Sequence, residues 1–363
     1  MSYGTVQAEK MTTESGYSLG AGNASSFKNR IINGEMDIDQ RNAGAAVTAN
    51  AGTAFTCDRW KAYRDGTGTV TFQQSSVVPN NTFKNSVLIT VTATGTPNEL
   101  AITQGIEGFN IADLGFGTAD AKPVVASFWI RSSVTGTYCF SLRQGSGTRS
   151  FVSPFTISAA NTWQQIVVPM PGDTSGSYNS TNGTGFIFEV CFGAGAPLQT
   201  ATTNAWQSAN VVATSSQVNL AGTSGATVYV TGFQLEVGTV ATSWDFRSYG
   251  TELALCQRYG LRVEQQGNTG DTCSTSTNTN VRFTFPVTMR SAPTASIITA
   301  GSWIVGNGFS ANYTASSVSI SSQNLSASAG RVGLNGFPAF GGNFFVSGSD
   351  AVGTAVMFMS AEL

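Results

Sequence analysis

The chain has 363 residues, enough for two or three domains with separate cores, and only 10% of them are charged. Its 18 basic and 20 acidic residues are scattered and give a net charge of −2, so the sequence predicts no basic surface for nucleic acid. Histidine is absent, which excludes Ser-His-Asp and Cys-His catalysis and His-ligated metals.

Residues 1–28 form a polar, glycine-containing leader with too few apolar residues for a core. Its first residues, Met1-Ser-Tyr-Gly, lack the basic and apolar regions of a signal peptide, and no run in the chain approaches the ~18 apolar residues of a membrane span. We therefore expect synthesis in the cytoplasm and no membrane insertion. Ordering of the leader by a partner and simple terminal disorder remain alternatives.

The region 29–247 repeats the two-residue alternation of strands with one buried face. It is predicted as an all-β jelly roll or β-sandwich of about eight to ten short strands. A short strand at Ile31 and Ile32 is expected to open it, and Val134-Thr-Gly136 is expected to form a hairpin between two strands. The predicted core rows are Val124, Ala126, Phe128 and Ile130; Tyr138, Phe140 and Leu142; and Phe186, Phe188, Val190 and Phe192.

A strand and then a short helix are predicted between residues 229 and 260. The odd-numbered Tyr229, Phe233, Leu235 and Val237 alternate with Val230, Gln234 and Glu236, which predicts that the odd-numbered side chains share a buried face. Ser248 is suited to cap a helix and Gly260 to end it, so residues 248–260 are predicted as a linker helix.

The last region, 261–363, is predicted as a smaller C-terminal β-sandwich domain. Val281, Phe283 and Phe285 alternate with polar residues, and Pro293 breaks the strand that they form. A strand is also expected at 354–363, which would pair the C-terminus with the rest of this domain.

Five motifs between residues 29 and 260 follow one another as they do in structural proteins of tailed bacteriophages, and the chain resembles that family. Trp244 stands where the family pattern has Phe, and Gly260 stands where it has a second Tyr. The motifs are Asn33-Gly-Glu-Met36 with Gln40-Arg41, Thr56-Cys-Asp-Arg-Trp60, Gly105-Ile-Glu-Gly108, Thr231-Gly-Phe-Gln-Leu-Glu236, and Arg247-Ser248 with Glu252-Leu-Ala-Leu-Cys-Gln-Arg-Tyr259.

This resemblance implies a non-enzymatic virion protein, with a tail position favoured over the capsid. The function that it implies is that of a tail-fibre or receptor-binding component which attaches to a host-surface glycan. The leader would then bind other virion proteins, and the chain would form a homo-oligomer, with a trimer favoured. A capsid decoration or head-fibre protein is the first alternative. A carbohydrate-active module or depolymerase is the second, since paired carboxylates can cleave glycosides without histidine.

The motifs at Asn33-Gly-Glu-Met36 and Gln234-Leu-Glu236 also resemble the first and last strands of galactose-binding-like jelly rolls. Some members of that group bind a structural calcium between these two strands. The resemblance implies oxygen ligands from Glu35, Asp37 and Glu236, which suit that ion. No full ligand set is recognisable, however, and solvated acids at strand ends are the favoured interpretation. We expect no other cofactor.

One group of residues points to a ligand independently of any family resemblance. Trp129 and Arg131 alternate with the buried Phe128 and Ile130, and Arg143 and Glu189 lie likewise opposite to buried rows of their own strands. An outward Trp is suited to stack on a sugar ring while charged groups bind the sugar hydroxyls. Coverage of this outward face by a loop or another subunit is the alternative, and it is the favoured one.

Overall fold

The computed structural model describes residues 11–12, 18–19, 28–51, 54–263, 278–298, 303–306, 312–314, 319–335, 345–348 and 357–363. Strands predominate in these residues, which confirms the predicted all-β class. The chain divides into two compact units, one running to Tyr249 and the other covering Gly250–Glu362. Of the predicted leader, the described part holds Lys28 and the antiparallel pair of β1 (Met11–Thr12) and β2 (Ser18–Leu19).

The first unit is a sandwich of two antiparallel sheets. Its strands are β3 (Val47–Thr48), β4 (Ala54–Phe55), β5 (Lys61–Gly66), β6 (Thr69–Ser75), β7 (Ser86–Ala93), β8 (Pro97–Glu107), β9 (Val124–Ser132), β10 (Gly136–Gln144), β11 (Ser150–Ile157), β12 (Gln164–Met170), β13 (Thr184–Ala194), β14 (Trp206–Gln207) and β15 (Thr227–Val237). The seven-stranded sheet has the order β14-β11-β10-β13-β8-β5-β4, and the six-stranded sheet has the order β12-β9-β15-β7-β6-β3. Short 3₁₀ turns lie at Gly108–Asn110, Ala112–Leu114, Ala196–Leu198 and Leu220–Gly222.

The core lies between the two sheets, and the three predicted rows on β9, β10 and β13 are fully buried in it. Trp60 is packed at its centre, with its ring centroid 4.4 Å from that of Phe233 and 6.1 Å from that of Phe188. The Trp60 indole nitrogen donates to the carbonyl of Asn33 at 2.9 Å. Packing from both sheets therefore converges on one aromatic side chain.

The predicted hairpin at Val134-Thr-Gly136 is wrong. β9 belongs to the six-stranded sheet and β10 to the seven-stranded sheet, so the connection crosses from one layer to the other. The rings of Phe128 and Phe140, one from each strand, face each other across the core at 6.2 Å between centroids. Alternation shows that each strand has a buried face, but it does not show whether two buried faces lie in one sheet or in opposing sheets.

The prediction for Tyr229 is also wrong, because β15 contains a β-bulge. The register shifts between Thr231 and Gln234, and Gly232 takes a left-handed φ of 66°. The shift moves the buried face from the even-numbered Val228 and Val230 to the odd-numbered Phe233 and Leu235. Tyr229 therefore lies on the outer face of the six-stranded sheet.

Ile31 and Ile32 are buried as expected, but they do not form the predicted strand. The side-chain amide of Gln104 pairs with the main chain of Ile32 instead, accepting from its nitrogen at 2.9 Å and donating to its carbonyl at 2.7 Å. A buried side chain here satisfies the main-chain groups that a neighbouring strand would otherwise bind.

The second unit contains the helix α1 (Tyr249–Gln257), which lies within the predicted 248–260, followed by small sheets. Its strands are β16 (Gly260–Val263), β17 (Asn278–Thr284), β18 (Thr294–Ile297), β19 (Trp303–Gly306), β20 (Asn312–Thr314), β21 (Ser319–Leu325), β22 (Ala329–Asn335), β23 (Phe345–Gly348) and β24 (Met357–Ser360). They form three sheets, of order β16-β24-β18, β17-β22-β21 and β20-β19-β23. Leu261, Met289, Met357 and Met359 are among its buried core residues. Within the part of the chain that the structure describes, no helix is long and apolar enough to cross a membrane.

Candidate functional site

The four residues predicted to bind a glycan lie on two different sheets. Trp129 and Arg131 belong to β9 in the six-stranded sheet, whereas Arg143 on β10 and Glu189 on β13 belong to the seven-stranded sheet. The structure therefore brings them together as two pairs rather than as one site. The two pairs differ in burial and in what they contact.

Arg143 and Glu189 form a buried ionic cluster with Glu99. The Arg143 guanidinium donates to the Glu189 carboxylate and, at 3.4 Å, to Glu99 Oε1, and its other terminal nitrogen donates to Asn210 Oδ1 at 3.0 Å. Burial, followed by the neighbouring charge of Glu189, raises the pKa of Glu99 to about 8. Because Arg143 already donates to three protein groups, its role is to hold this cluster together.

The other pair lies beside a cavity of about 410 Å³ on the outer face of the six-stranded sheet, here called the Trp129 cavity. This volume lies within the range of ~300–1,000 Å³ that is typical of small-molecule sites. The described lining residues combine aromatic rings with neutral amides and hydroxyls. They are Asn80, Thr82, Phe83, Ser127, Trp129, Gln165, Gly232, Gln234, Thr242, Ser243, Trp244 and Phe246.

Strand register explains the floor of the Trp129 cavity. Trp129 lies directly opposite Gln165 of the neighbouring strand β12, and Ser127 lies opposite Gln234 of β15. Directly opposite residues place their side chains next to each other on the same face of the sheet. The floor therefore alternates an aromatic surface with amide and hydroxyl groups.

The β-bulge at Gly232 also shapes this floor. A Cβ atom at Gly232 would lie 2.7 Å from Cζ of Phe83 and 3.1 Å from Cδ1 of Trp129. Both rings approach the backbone more closely than a side chain at this position would allow. Glycine therefore serves here both the left-handed backbone and the close packing of two lining rings.

Residues 242–246, here called the wall segment, close one side of the cavity and supply Trp244 and Phe246. The Phe83 and Trp244 rings meet edge to face at 5.3 Å, while Phe246 is 72% exposed. The main-chain nitrogen of Asp245 donates to Gln234 Oε1 at 2.9 Å, which ties the wall segment to β15. The indole nitrogen of Trp244 is buried and has no hydrogen-bond partner within the described residues.

Arg131 lies outside the cavity lining. Its guanidinium carbon is 5.3 Å from the centroid of the Tyr229 ring, and its Nε donates to the carbonyl of Asn161 at 2.9 Å. The Tyr229 ring also packs against Trp163, with their centroids 6.2 Å apart. Arg131 thus belongs to a neighbouring aromatic cluster on the same face.

Two of the three acids of the calcium hypothesis are engaged in hydrogen bonds within the protein. Glu236 accepts from Gln234 Nε2 at 2.8 Å and from Thr242, and its carboxylate lies 4.0 Å from the ammonium of Lys28. Asp37 accepts from Asn85 Nδ2 at 2.8 Å, and Glu35 is buried. Across the described ranges no three Asp, Glu, His or Cys side chains come together as a ligand set, so calcium stays a prediction without support from geometry.

Sequence reasoning identified Trp129 and missed the other aromatic residues of the cavity. Phe83, Trp244 and Phe246 lie in connecting segments. Strand alternation does not predict which way a side chain points in such segments. The sequence did contain one signal for the wall of the cavity. Position 244 holds Trp, a larger aromatic side chain than the Phe of the motif that this stretch resembles.

No protein-family model matches this chain, and no curated protein matches it. Among solved structures, the enzymatically active domain of tailspike protein 4 of bacteriophage CBA120 is similar at a TM-score of 0.33 and 14% identity, covering 59% of this chain and 22% of that one. The family 11 carbohydrate-binding module of a Clostridium thermocellum cellulase is similar at a TM-score of 0.27 and 13% identity, covering 54% and 96% of the two chains. The N-terminal cellulose-binding domain of Cellulomonas fimi β-1,4-glucanase C has a TM-score of 0.29 and 8% identity, with 57% and 95% covered. At such scores these likenesses do not define the function of this chain.

Proposed function

We propose that this chain is a non-enzymatic glycan-binding protein and that the Trp129 cavity is its binding site. The observation that carries the proposal is the combination of aromatic rings and neutral polar groups around one cavity. Sugar rings present apolar C–H faces that stack on aromatic side chains, and their hydroxyls pair with amides and hydroxyls. The lining offers both kinds of contact within one space.

The polar groups of the cavity divide into those that shape it and those that remain available. Gln234 is held by Glu236 and Asp245, so it fixes the wall. The amide of Gln165 and the hydroxyl of Ser243 have no hydrogen-bond partner among the described residues. These are the groups that we expect to meet sugar hydroxyls.

The same cavity supports binding rather than cleavage. Glycoside hydrolysis uses a pair of carboxyl groups that flank the bond to be cut. None of the cavity-lining residues that the structure describes is Asp or Glu. Glu99 and Glu189 do form a close pair, but both are bound to Arg143 on the other sheet.

We further propose that this glycan-binding unit belongs to the tail of a phage particle, as a fibre or receptor-binding component. The motif order in residues 29–260 supports this assignment, as does the low content of charged residues. Few charges need to be desolvated when such a surface packs against neighbouring subunits. Several copies on one particle, as in the expected trimer, would convert weak single contacts into firm attachment.

The binding site is tested by Trp129→Ala on an array of bacterial surface oligosaccharides. We expect affinity for the bound glycans to fall about tenfold or more, because the stacking surface is lost. Trp163→Ala is the matched control, since it removes an indole from the neighbouring Tyr229 cluster outside the cavity. Unchanged binding by folded Trp129→Ala protein, or equal loss in both variants, would remove the cavity from consideration.

The place on the particle and the absence of activity need separate measurements. Cryo-electron microscopy of the virion should show a few copies at the tail, whereas many copies on the head would indicate the capsid alternative.

The absence of enzymatic activity is tested by incubation with host polysaccharides, which should release no reducing sugars. Release of such sugars would instead identify a depolymerase.

A further inference from the structure

The charge of the Trp129 cavity narrows the class of glycan that it binds. Every lining residue within the described part of the chain is neutral: seven carry amide or hydroxyl side chains, two are tryptophans, two are phenylalanines and one is glycine. We infer that the ligand is an uncharged sugar, a neutral pyranose rather than a uronic or sialic acid. This inference rests on the proposed glycan-binding function and deepens it.

Charged groups behind the cavity are already engaged within the protein. Glu236 is buried and accepts from Gln234 and Thr242. Lys28 donates to the Thr242 hydroxyl and, at 3.0 Å, to the carbonyl of Ser243, and Asp245 accepts from the main-chain nitrogen of Asn29 at 3.0 Å. These groups hold the wall segment in place and do not line the cavity.

Arg131 is a cation on the same outer face, two residues along β9 from Trp129. Its contacts with Tyr229 and Asn161 direct it to the neighbouring cluster. It is therefore not one of the residues around the ligand space. Among the described lining residues, a sugar carboxylate would find no cation to pair with.

The energetic consequence follows from desolvation. A carboxylate that enters the cavity gives up its hydration without gaining an opposite charge, which is costly. A neutral hydroxymethyl group at the same position of the sugar loses much less hydration and still pairs with amides and hydroxyls.

The experiment compares sugars that differ only in this group. Titration calorimetry on the full chain would use gluco- and galacto-oligosaccharides against their forms oxidised at C6 to the uronic acid. We expect the neutral member of each bound pair to bind at least about tenfold more tightly, with an affinity that changes little with salt. Trp129→Ala should weaken binding of the neutral member.

A charge insertion gives the converse test. Gln165→Lys places a cation beside Trp129 and should raise affinity for the uronic acid form. Gln164→Lys adds the same charge one residue earlier, where the native side chain binds the Thr156 carbonyl outside the cavity, and should not do so. Tighter binding of the uronic acid by the native chain, lost in Trp129→Ala, would overturn the inference while leaving glycan binding intact. Failure of both members of every pair to bind would overturn the inference, and a blank oligosaccharide array would overturn the proposed function itself.

Discussion

Thr242 donates two hydrogen bonds to the carboxylate of Glu236, from its main-chain nitrogen to Oε1 at 2.8 Å and from its hydroxyl to Oε2 at 2.7 Å. Glu236 lies near the end of β15, and Thr242 begins the wall segment that carries Trp244 and Phe246. A buried anion thus fixes the position of two aromatic lining residues before any ligand arrives. Such preorganisation lowers the entropy cost of binding.

Glu236→Ala should therefore weaken both folding and glycan binding. It leaves the donors of Gln234 and Thr242 unpaired and Lys28 without its carboxylate, at a cost of about 1–3 kcal/mol in the free energy of unfolding. Urea unfolding and calorimetric titration of the bound oligosaccharide would measure the two effects. Asp113→Ala removes the half-exposed partner of Arg30 and should cost less than about 1 kcal/mol. Equal effects of the two substitutions would contradict this role of Glu236.

Gly232→Ala should distort the floor of the Trp129 cavity. The new methyl group would press on Phe83 and Trp129, and alanine in the left-handed region costs about 1–2 kcal/mol by itself. Gly225→Ala separates these effects, because Gly225 has a similar φ of 73° but no atom within 4 Å of its added Cβ. We expect both variants to lose stability and Gly232→Ala alone to lose glycan affinity. Retained affinity in Gly232→Ala would show that ring positions at the floor are not critical.

Much of the fold was predictable because burial has a simple period in strands. The rows of β9, β10 and β13 were correctly identified from alternation alone. The bulge at Gly232 reversed the faces of β15 at one residue, and the pattern of the sequence did not reveal it. The sheet to which each strand belongs was equally hidden, since Phe128 and Phe140 are buried in the same core from opposite layers.

The site was predictable only where a strand determined the direction of a side chain. Trp129 was identified as outward because β9 is regular. Arg143 and Glu189 were also recognised as outward, but on the other sheet, where they form their own ion pair. The position of Trp244 depends on hydrogen bonds between the wall segment and β15. No periodic pattern in the sequence predicts these bonds. Tertiary packing, rather than local pattern, determines that part of the cavity.

Trp60→Ala should be strongly destabilising. The side chain is fully buried, packs on Phe233 and Phe188, and donates to the carbonyl of Asn33. Removal of a buried aromatic ring of this kind costs about 3–5 kcal/mol in the free energy of unfolding. Chemical denaturation followed by circular dichroism would measure this loss. Trp163→Ala, at a half-buried position outside the core, should cost much less, and a similar cost for both would contradict the central place of Trp60.

Glu99 should make stability depend on pH. Its pKa is raised from an ordinary value of 4.5 to about 8, first by burial and then by the charge of Glu189, so the folded chain retains a proton that the unfolded chain loses. The resulting stabilisation is complete below the ordinary pKa and is lost as pH rises through about 8. Glu99→Gln cannot ionise, so the free energy of unfolding of this variant should fall less between about pH 5 and pH 9 than that of the native chain. Urea unfolding at several pH values in this range would give the free energy of unfolding of both proteins as a function of pH. If it fell equally with pH in both, Glu99 would not titrate in this range.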